Sequence, residues 1–371
     1  MTELGHPRVS VVTTTRNGAR FLSAAIKSVL AQSFEDFEYV VVDNASTDDS
    51  AEIVSDMARR DRRVKLIRGS VDLGPAGGLN RAIGFVRGEY VAVLDSDDLA
   101  LPERIGRQVD FLDRHIQVGA VGAQVRIIDS ASAPIGRWQY PTHPAGARWE
   151  LLFGASLLHS ASMYRHSLLA QLGGYSERHP FVCDYEQLVR LADVSQVVNL
   201  DEELACYRRS STQLSVIHPR RQQGEAMLLR YAIQRRWLDL RPDLGVFAKL
   251  FQWGCGTAPA TTAEATAAME MLELLYDRYR HVTPLSDGDR AAVDSRCARR
   301  WLRMAHHAYD TLREASRHCW QQAHRLDPQL TRTSSAHAIL HKRRGAPDSA
   351  VNLPPPDHHE PRDRTAQFAI S

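Results

Sequence analysis

Cysteine is scarce in this chain. The five residues, Cys183, Cys206, Cys255, Cys297 and Cys319, are odd in number, widely spaced and without a Cys-x-x-Cys pair, which argues against a disulfide framework and against a zinc site. A dominant charge is missing too. Basic residues number 46 and acidic ones 44, scattered among one another for a formal net charge of +2, so a nucleic-acid partner is not expected. The local basic runs at Arg59, Arg60, Arg62 and Arg63 and at Lys342, Arg343 and Arg344 read as solvated helix faces. No apolar run is long enough to cross a bilayer, and the first strand-like run starts by Val9 with no apolar signal core before it; the expected location is the cytoplasm.

What the chain does have is an apolar run, Tyr90-Val91-Ala92-Val93-Leu94, that leads straight into Asp95-Ser96-Asp97-Asp98. Three carboxylates within four positions, at the C-terminal end of a buried strand, repel and raise one another's pKa. A hard divalent ion such as Mg2+ or Mn2+ relieves that repulsion and binds a ligand's phosphates. The other reading of the same residues is an acidic turn that caps the helix beginning near Pro102.

The surrounding pattern is α/β. Strands are expected at 9–12, 37–42, 64–67 and 90–94. Between the first two lies a helix with apolar pairs at Phe21 and Leu22, Ala25 and Ile26, and Val29 and Leu30. Ser46 or Thr47 is expected to cap a second helix whose inward face carries Ile53, Val54 and Met57. A third runs from the glycine-rich turn at 74–78 through Asn80, Ile83 and Phe85. Beyond the carboxylates a helix at 102–114, a strand at 118–128 and a hairpin return to Tyr140 are read, then a segment at 151–172 that looks helical at both ends. Gly173-Gly174 stops it, and a helix starts at Asp184. The division expected is 1–221 as the α/β domain, 222–343 as a helical C-terminal region and 344–371 as a disordered tail.

Polar residues at several strand ends, Thr13-Thr14-Thr15-Arg16-Asn17, Asp43-Asn44 and Asp95-Ser96-Asp97, would face one crevice in an open parallel sheet. With 28–34, 41–48, 74–82, Gly173-Gly174-Tyr175, Asp184-Tyr185-Glu186 and Tyr207-Arg208, they make residues 8–215 resemble the inverting nucleotide-sugar glycosyltransferases of family 2, which have the GT-A fold. The resemblance implies a mixed, mainly parallel sheet flanked by helices. It implies a nucleoside-diphosphate sugar donor held by Thr13, Thr15, Asn17, Asp43, Asn80 and Asp95, with Asp43 at the base. A divalent metal, Mn2+ or Mg2+, would be held by Asp97 with Asp95, and the catalytic base is expected at Asp184, in the first turn of a helix whose field favours negative charge. The acceptor implied is a glycan or lipid-linked molecule, in surface polysaccharide or glycoconjugate assembly, and peripheral contact with a membrane's inner face and a homodimer follow as further expectations. The sugar moved is expected to be a hexose or deoxyhexose.

The chain departs from that pattern in three places. Cys183 stands where the family commonly has a glutamate, Ser210 where relatives often place a histidine, and Asn44 where Asp-Asp is usual. Arg208 or Arg209 is offered as a substitute partner for the diphosphate, and His159 is read either as touching the acceptor sugar or as a packed histidine. Gln234-Arg235-Arg236-Trp237 is one residue short of the Gln-x-x-Arg-Trp of processive synthases, so transfer of a single sugar is expected. A dinucleotide-binding oxidoreductase is set aside because Gly74 to Gly78 lacks the Gly-x-Gly-x-x-Gly spacing and follows the third strand. The standing alternative is a catalytically degenerate domain that binds a nucleotide sugar or scaffolds an assembly. The helices past Gln222 are left open as a lid, a dimer surface or a partner-binding appendage.

Overall fold

The computed structural model describes residues 6–211 and 213–332. Strand and helix alternate at first: β1 (Val9–Thr15), α1 (Ala19–Leu30), β2 (Phe37–Asp43), α2 (Ser50–Arg60), β3 (Val64–Arg68), α3 (Gly74–Ile83) and β4 (Tyr90–Val93). Then come β5 (Leu99–Ala100), α4 (Arg104–Arg114), the hairpin β6 (Val118–Ile128) and β7 (Pro134–Trp138), and α5 (Pro144–Glu150). A 3-10 turn at His159–Ala161 precedes β8 (Met163–Arg165), α6 (His166–Gln171), α7 (Cys183–Leu191) and β9 (Gln196–Arg208). Helices follow: α8 (Leu214–Ile217), α9 (Pro219–Leu238), α10 (Leu244–Gly254), α11 (Thr262–Val282), α12 (Asp287–Ala308), α13 (Arg313–Leu326) and α14 (Pro328–Thr331).

The strands join in one sheet in the order β3-β2-β1-β4-β8-β6-β9-β5, with β7 beside β6. β3, β2, β1 and β4 are parallel, so their C-terminal ends share one edge. Burial on both faces explains the apolar runs of β1, β2 and β4. In β2, Tyr39 and Val41 pack with α1, α2 and α4, while Val40 and Val42 enter a second core. That second core continues through Trp149 and Phe153 into α9 to α13, where Trp149 meets Phe153, Tyr276 and Tyr279 edge-on. The helical region therefore shares apolar packing with the sheet.

Three local expectations are corrected. The segment 151–172 is not helical at its start: α5 ends at Glu150, and Met163–Arg165 forms a strand between β4 and β6, antiparallel to both. Sheet pairing there overrides the local pattern. β9, thirteen residues long, and the short β5 were also unread. Neither Ser46 nor Thr47 caps α2, whose cap is Asp49. Ser46 Oγ instead accepts the Asn17 amide at 2.9 Å, and Asp48 accepts the Ala19 and Ser50 amides, each at 3.0 Å. The tail at 344–371 lies outside the described residues. Among the described residues no helix is long and apolar enough to cross a membrane.

Candidate active site

Register places the polar strand ends together: Thr15 lies opposite Asp43, Asp43 opposite Arg68, and the Leu94 amide donates to the Val12 carbonyl at 3.0 Å. The loops beyond them are laced. Asn17, at φ 54°, accepts the Thr47 amide on its Oδ1 at 2.8 Å. A Cβ on Gly18 would collide with Thr15 Oγ1 and come within 3.2 Å of Ser96 Oγ, so glycine there lets the loop after β1 close on the carboxylate turn. Asn44 accepts the Leu73 amide at 3.1 Å and donates to Asp72 Oδ1 and the Gly74 carbonyl, at 3.0 and 3.2 Å; Asp72 in turn pairs with Arg16 at 2.6 Å. Within this ring of loops, Thr15 Oγ1 and Asp43 Oδ1 are buried with no hydrogen-bond partner in the protein, a costly state that a polar ligand relieves.

The three carboxylates are held unequally. The Asp95 amide donates to Ser160 Oγ at 2.9 Å. Asp98 is fully buried, accepts the Arg208 amide at 2.7 Å and leaves its Oδ2 without a partner. Burial, then the charges of Asp97 and Asp95, push Asp98 well above the ordinary carboxylate range, and burial with the Asp95 charge brings Asp97 to about 6. Arg208 and Gln213 offset only part of that rise in Asp97. A divalent ion fits this excess of negative charge, because the donors are hard oxygens and such ions bind through one or two carboxylates plus a substrate's phosphates. Among the described residues no group of three or more His, Cys, Asp or Glu side chains forms a complete metal cage, so substrate or water oxygens would have to finish the coordination of any ion held by Asp97 and Asp95.

Two arginines that sequence reasoning did not place beneath the site brace it. Arg104, buried in α4, donates to the carbonyls of Val93, Ser160 and Ser162. Burial lowers its pKa to about 10 against the raising charges of Asp95 and Asp98. Arg208 is 1% exposed, donates to the carbonyls of Asp97 and Asp129 and to Ser132 Oγ, and lies over the Phe21 ring at 4.5 Å. It is therefore a structural brace and not a free partner for a diphosphate. The sequence singled out Arg208 in a different role and did not single out Arg104; the carbonyls they satisfy come from β4, the carboxylate turn, the 3-10 turn with the residue after it, and the β6–β7 hairpin.

On the other side of the carboxylates, His159 Nδ1 lies 3.5 Å from Asp95 Oδ1 and its Nε2 is 3.0 Å from the Tyr175 hydroxyl. Burial lowers the His159 pKa, but the Asp95 hydrogen bond and charge, joined by the Asp184 charge, raise it overall. Asp95 and Asp184 thus act on one buried imidazole, although 89 positions separate them in sequence. Asp184 sits in the first turn of α7. Its neighbour Cys183 is a buried thiol whose pKa is pushed well up, by burial first and then by Asp184, so it is not an activated nucleophile. Two expected donor-binding side chains are committed elsewhere. Thr13 Oγ1 is fully buried, bonded to the Leu94 carbonyl at 2.6 Å and the Tyr39 hydroxyl at 2.8 Å. Asn80 grips the Tyr175 backbone, donating to its carbonyl at 2.9 Å and accepting its amide at 2.7 Å. Gly174, at φ +72°, permits that grip, since a Cβ there would lie 2.5 Å from Asn80 Oδ1. His218 is exposed beside the Phe181 ring, at 5.4 Å.

Residues 10–173 match the model of Glycosyl transferase family 2. An "uncharacterized glycosyltransferase" of Haemophilus influenzae is 26% identical over 257 residues, which is 63% of this chain and 77% of the relative. The succinoglycan biosynthesis protein ExoO of Rhizobium meliloti is 40% identical over 121 residues, 33% of this chain and 32% of its own. Among solved structures, S. aureus TarS 1-349 superposes with a TM-score of 0.51 at 17% identity, over 86% of this chain and 91% of that one. The mannosyltransferase PcManGT of Pyrobaculum calidifontis, solved with GDP-Man and Mn2+, gives 0.51 at 18%, over 86% and 85%. These likenesses show a shared GT-A fold. The strand ends and the carboxylate turn, with the 3-10 turn that carries His159, all lie within the residues that match the Glycosyl transferase family 2 model.

Proposed function

We propose that the protein moves one hexose or deoxyhexose from a nucleoside-diphosphate donor to a glycan or lipid-linked acceptor, by an inverting single displacement, in surface polysaccharide or glycoconjugate assembly. The observation that supports this reading is buried His159, whose Nδ1 lies 3.5 Å from Asp95 Oδ1 and whose imidazole feels the charges of both Asp95 and Asp184, as a donor-side and an acceptor-side carboxylate sharing one cleft would require. The unpartnered Asp43 Oδ1 accepts from the base, and the Thr15 to Asn17 turn encloses the nucleoside. Asp97 with Asp95 would hold Mn2+ or Mg2+, which when bound stabilises the negative charge of the departing diphosphate. Asp184 takes the proton from the acceptor hydroxyl as that oxygen bonds to the anomeric carbon. The bond from that carbon to the diphosphate oxygen breaks on the opposite face, and the configuration inverts. A lipid-linked acceptor brings the protein to the inner face of a membrane.

Replacing Asp184 with Asn tests this. Sugar transfer, followed as nucleoside diphosphate released, is expected to fall about a hundredfold or more, while donor binding by calorimetry stays close to wild type. UDP-GlcNAc and GDP-Man, found bound to TarS and PcManGT respectively, are the first donors to try. Buried, neutral Cys183 in the family's glutamate position favours the alternative of a non-catalytic nucleotide-sugar binder. Donor binding with no turnover in the wild type would establish that alternative.

A further inference from the structure

Beyond β9 the composition changes. Between 209 and 241 six arginines, Arg209, Arg220, Arg221, Arg235, Arg236 and Arg241, are exposed, whereas the stretch has only two carboxylates, Glu225 and Asp239, and no lysine. Glu225 is occupied with the Phe181 amide at 3.0 Å, and Arg236 pairs with Asp193 at 2.7 Å. α9 sorts its residues by face. Ala226, Leu229, Arg230, Ile233 and Gln234 are buried, while Arg221, Gly224, Leu228, Ala232 and Arg235, spaced three or four apart, form one exposed stripe. Leu228 on that stripe is 64% exposed, and Val216 and Ile217 of the adjoining α8 are 51% and 54% exposed. At its far end the stripe opens into a cavity of about 340 Å³ lined by Ala232, Arg235, Arg236, Asp239, Leu240 and Arg241. Its near end adjoins the proposed acceptor side, because Glu225 holds the backbone of Phe181, three residues before Asp184.

A merely solvated helix alternates its charges and hides its large apolar groups. Here one sign of charge is interleaved with exposed aliphatic side chains, on a helix that spans about 30 Å at 1.5 Å per residue. We infer that this face, α8 with the outer stripe of α9, rests on a bilayer surface carrying anionic lipid headgroups. Val216, Ile217 and Leu228 enter the headgroup layer, and the arginines bind lipid phosphates through their forked donors. The inference rests on the proposed sugar transfer only for its use, which is to bring a lipid-linked hydroxyl to Asp184.

Flotation of the full chain with phosphatidylcholine vesicles, with and without phosphatidylglycerol, tests it in the absence of any donor. Binding is expected only to the anionic vesicles. The triple variant R220E/R221E/R235E is expected to lose roughly fivefold in affinity per arginine, and V216D/I217D about tenfold, with melting temperature and donor hydrolysis in solution unchanged for both. Failure of the wild type to bind anionic vesicles overturns the proposal, and so does equal binding by the arginine variant. Undiminished vesicle binding by V216D/I217D also overturns it, since the patch would then be a general polyanion site, nucleic acid included. Vesicle binding without sugar turnover would uphold this surface and refute the transferase reading; turnover on a soluble acceptor without vesicle binding would do the reverse.

Discussion

Two regions bury carboxylates and treat them in opposite ways. Where α5 meets α12, Glu150 is enclosed by arginines: Arg296 Nε reaches its Oε1 at 3.0 Å and Arg300 Nη2 its Oε2 at 3.0 Å. Burial alone would raise its pKa, yet Arg296, Arg300 and Arg303 together bring it down to about 2. At the end of β4 the same burial acts on Asp97, but its neighbours are carboxylates, and it rises to about 6. The Glu150 carboxylate finds its counter-charges within the chain. The strand-end carboxylates crowd one another instead, an excess of negative charge that a cation from outside would relieve. Burial by itself does not mark a functional carboxylate; the sign of what surrounds it does.

Removing one member from each region separates them. Asp97→Asn is expected to lower sugar transfer at least about a hundredfold, with the melting temperature held or raised, since a buried repulsion is relieved; a turnover assay and a thermal melt read both. Glu150→Gln is expected to leave catalysis intact in whatever fraction folds, but to cost about 3–5 kcal/mol of stability, because three arginines lose their buried counter-charge. Urea denaturation measures it. The third effect is a pH dependence. Glu38 resembles Glu150: burial would raise it, but hydrogen bonds from Lys65, Arg87 and Ser10 bring it to about 2, from a usual 4.5. Because the folded pKa is the depressed one for both, their stabilisation is complete above about 4.5 and is lost as pH falls toward 2. Because Asp97 and Asp98, raised in the folded state, act in the opposite sense, the readout is the difference: the urea-midpoint gap between wild type and Glu150→Gln should shrink as pH falls from 6 to 3.

The same contrast explains how much the sequence reveals. The strands β1, β2 and β4 were legible because each is buried on both faces and ends in a polar turn, so apolar run and motif coincide; β3, at the sheet edge, is only partly buried and was read from its short apolar run. β9 was not, because Asp201-Glu202-Glu203 interrupts its apolar pattern and its pairing with β6 shifts register around Gln124. β8 is three residues long and exists only because β4 and β6 flank it. In the candidate site, spacing singled out Asp43, Asp95, Asp97 and Asp184. It could not tell that the Thr13 and Asn80 side chains are spent on Leu94 and Tyr175, nor that Arg208 is sealed beneath Asp97, since each depends on partners about 80 to 110 positions away. The helical half was readable as helix. Its seam with the sheet was not, because Glu150 and Arg296 are 146 positions apart.

The claim that the strand ends form a metal-assisted donor site is tested most directly by a crystal structure of the protein soaked with Mn2+ and a nucleoside diphosphate, UDP or GDP, read by anomalous scattering. The expected result is one manganese peak within bonding distance of Asp97, bridged to the diphosphate, with the base against Asp43. Manganese elsewhere, or a nucleotide seated away from the ends of β1, β2 and β4, would contradict it.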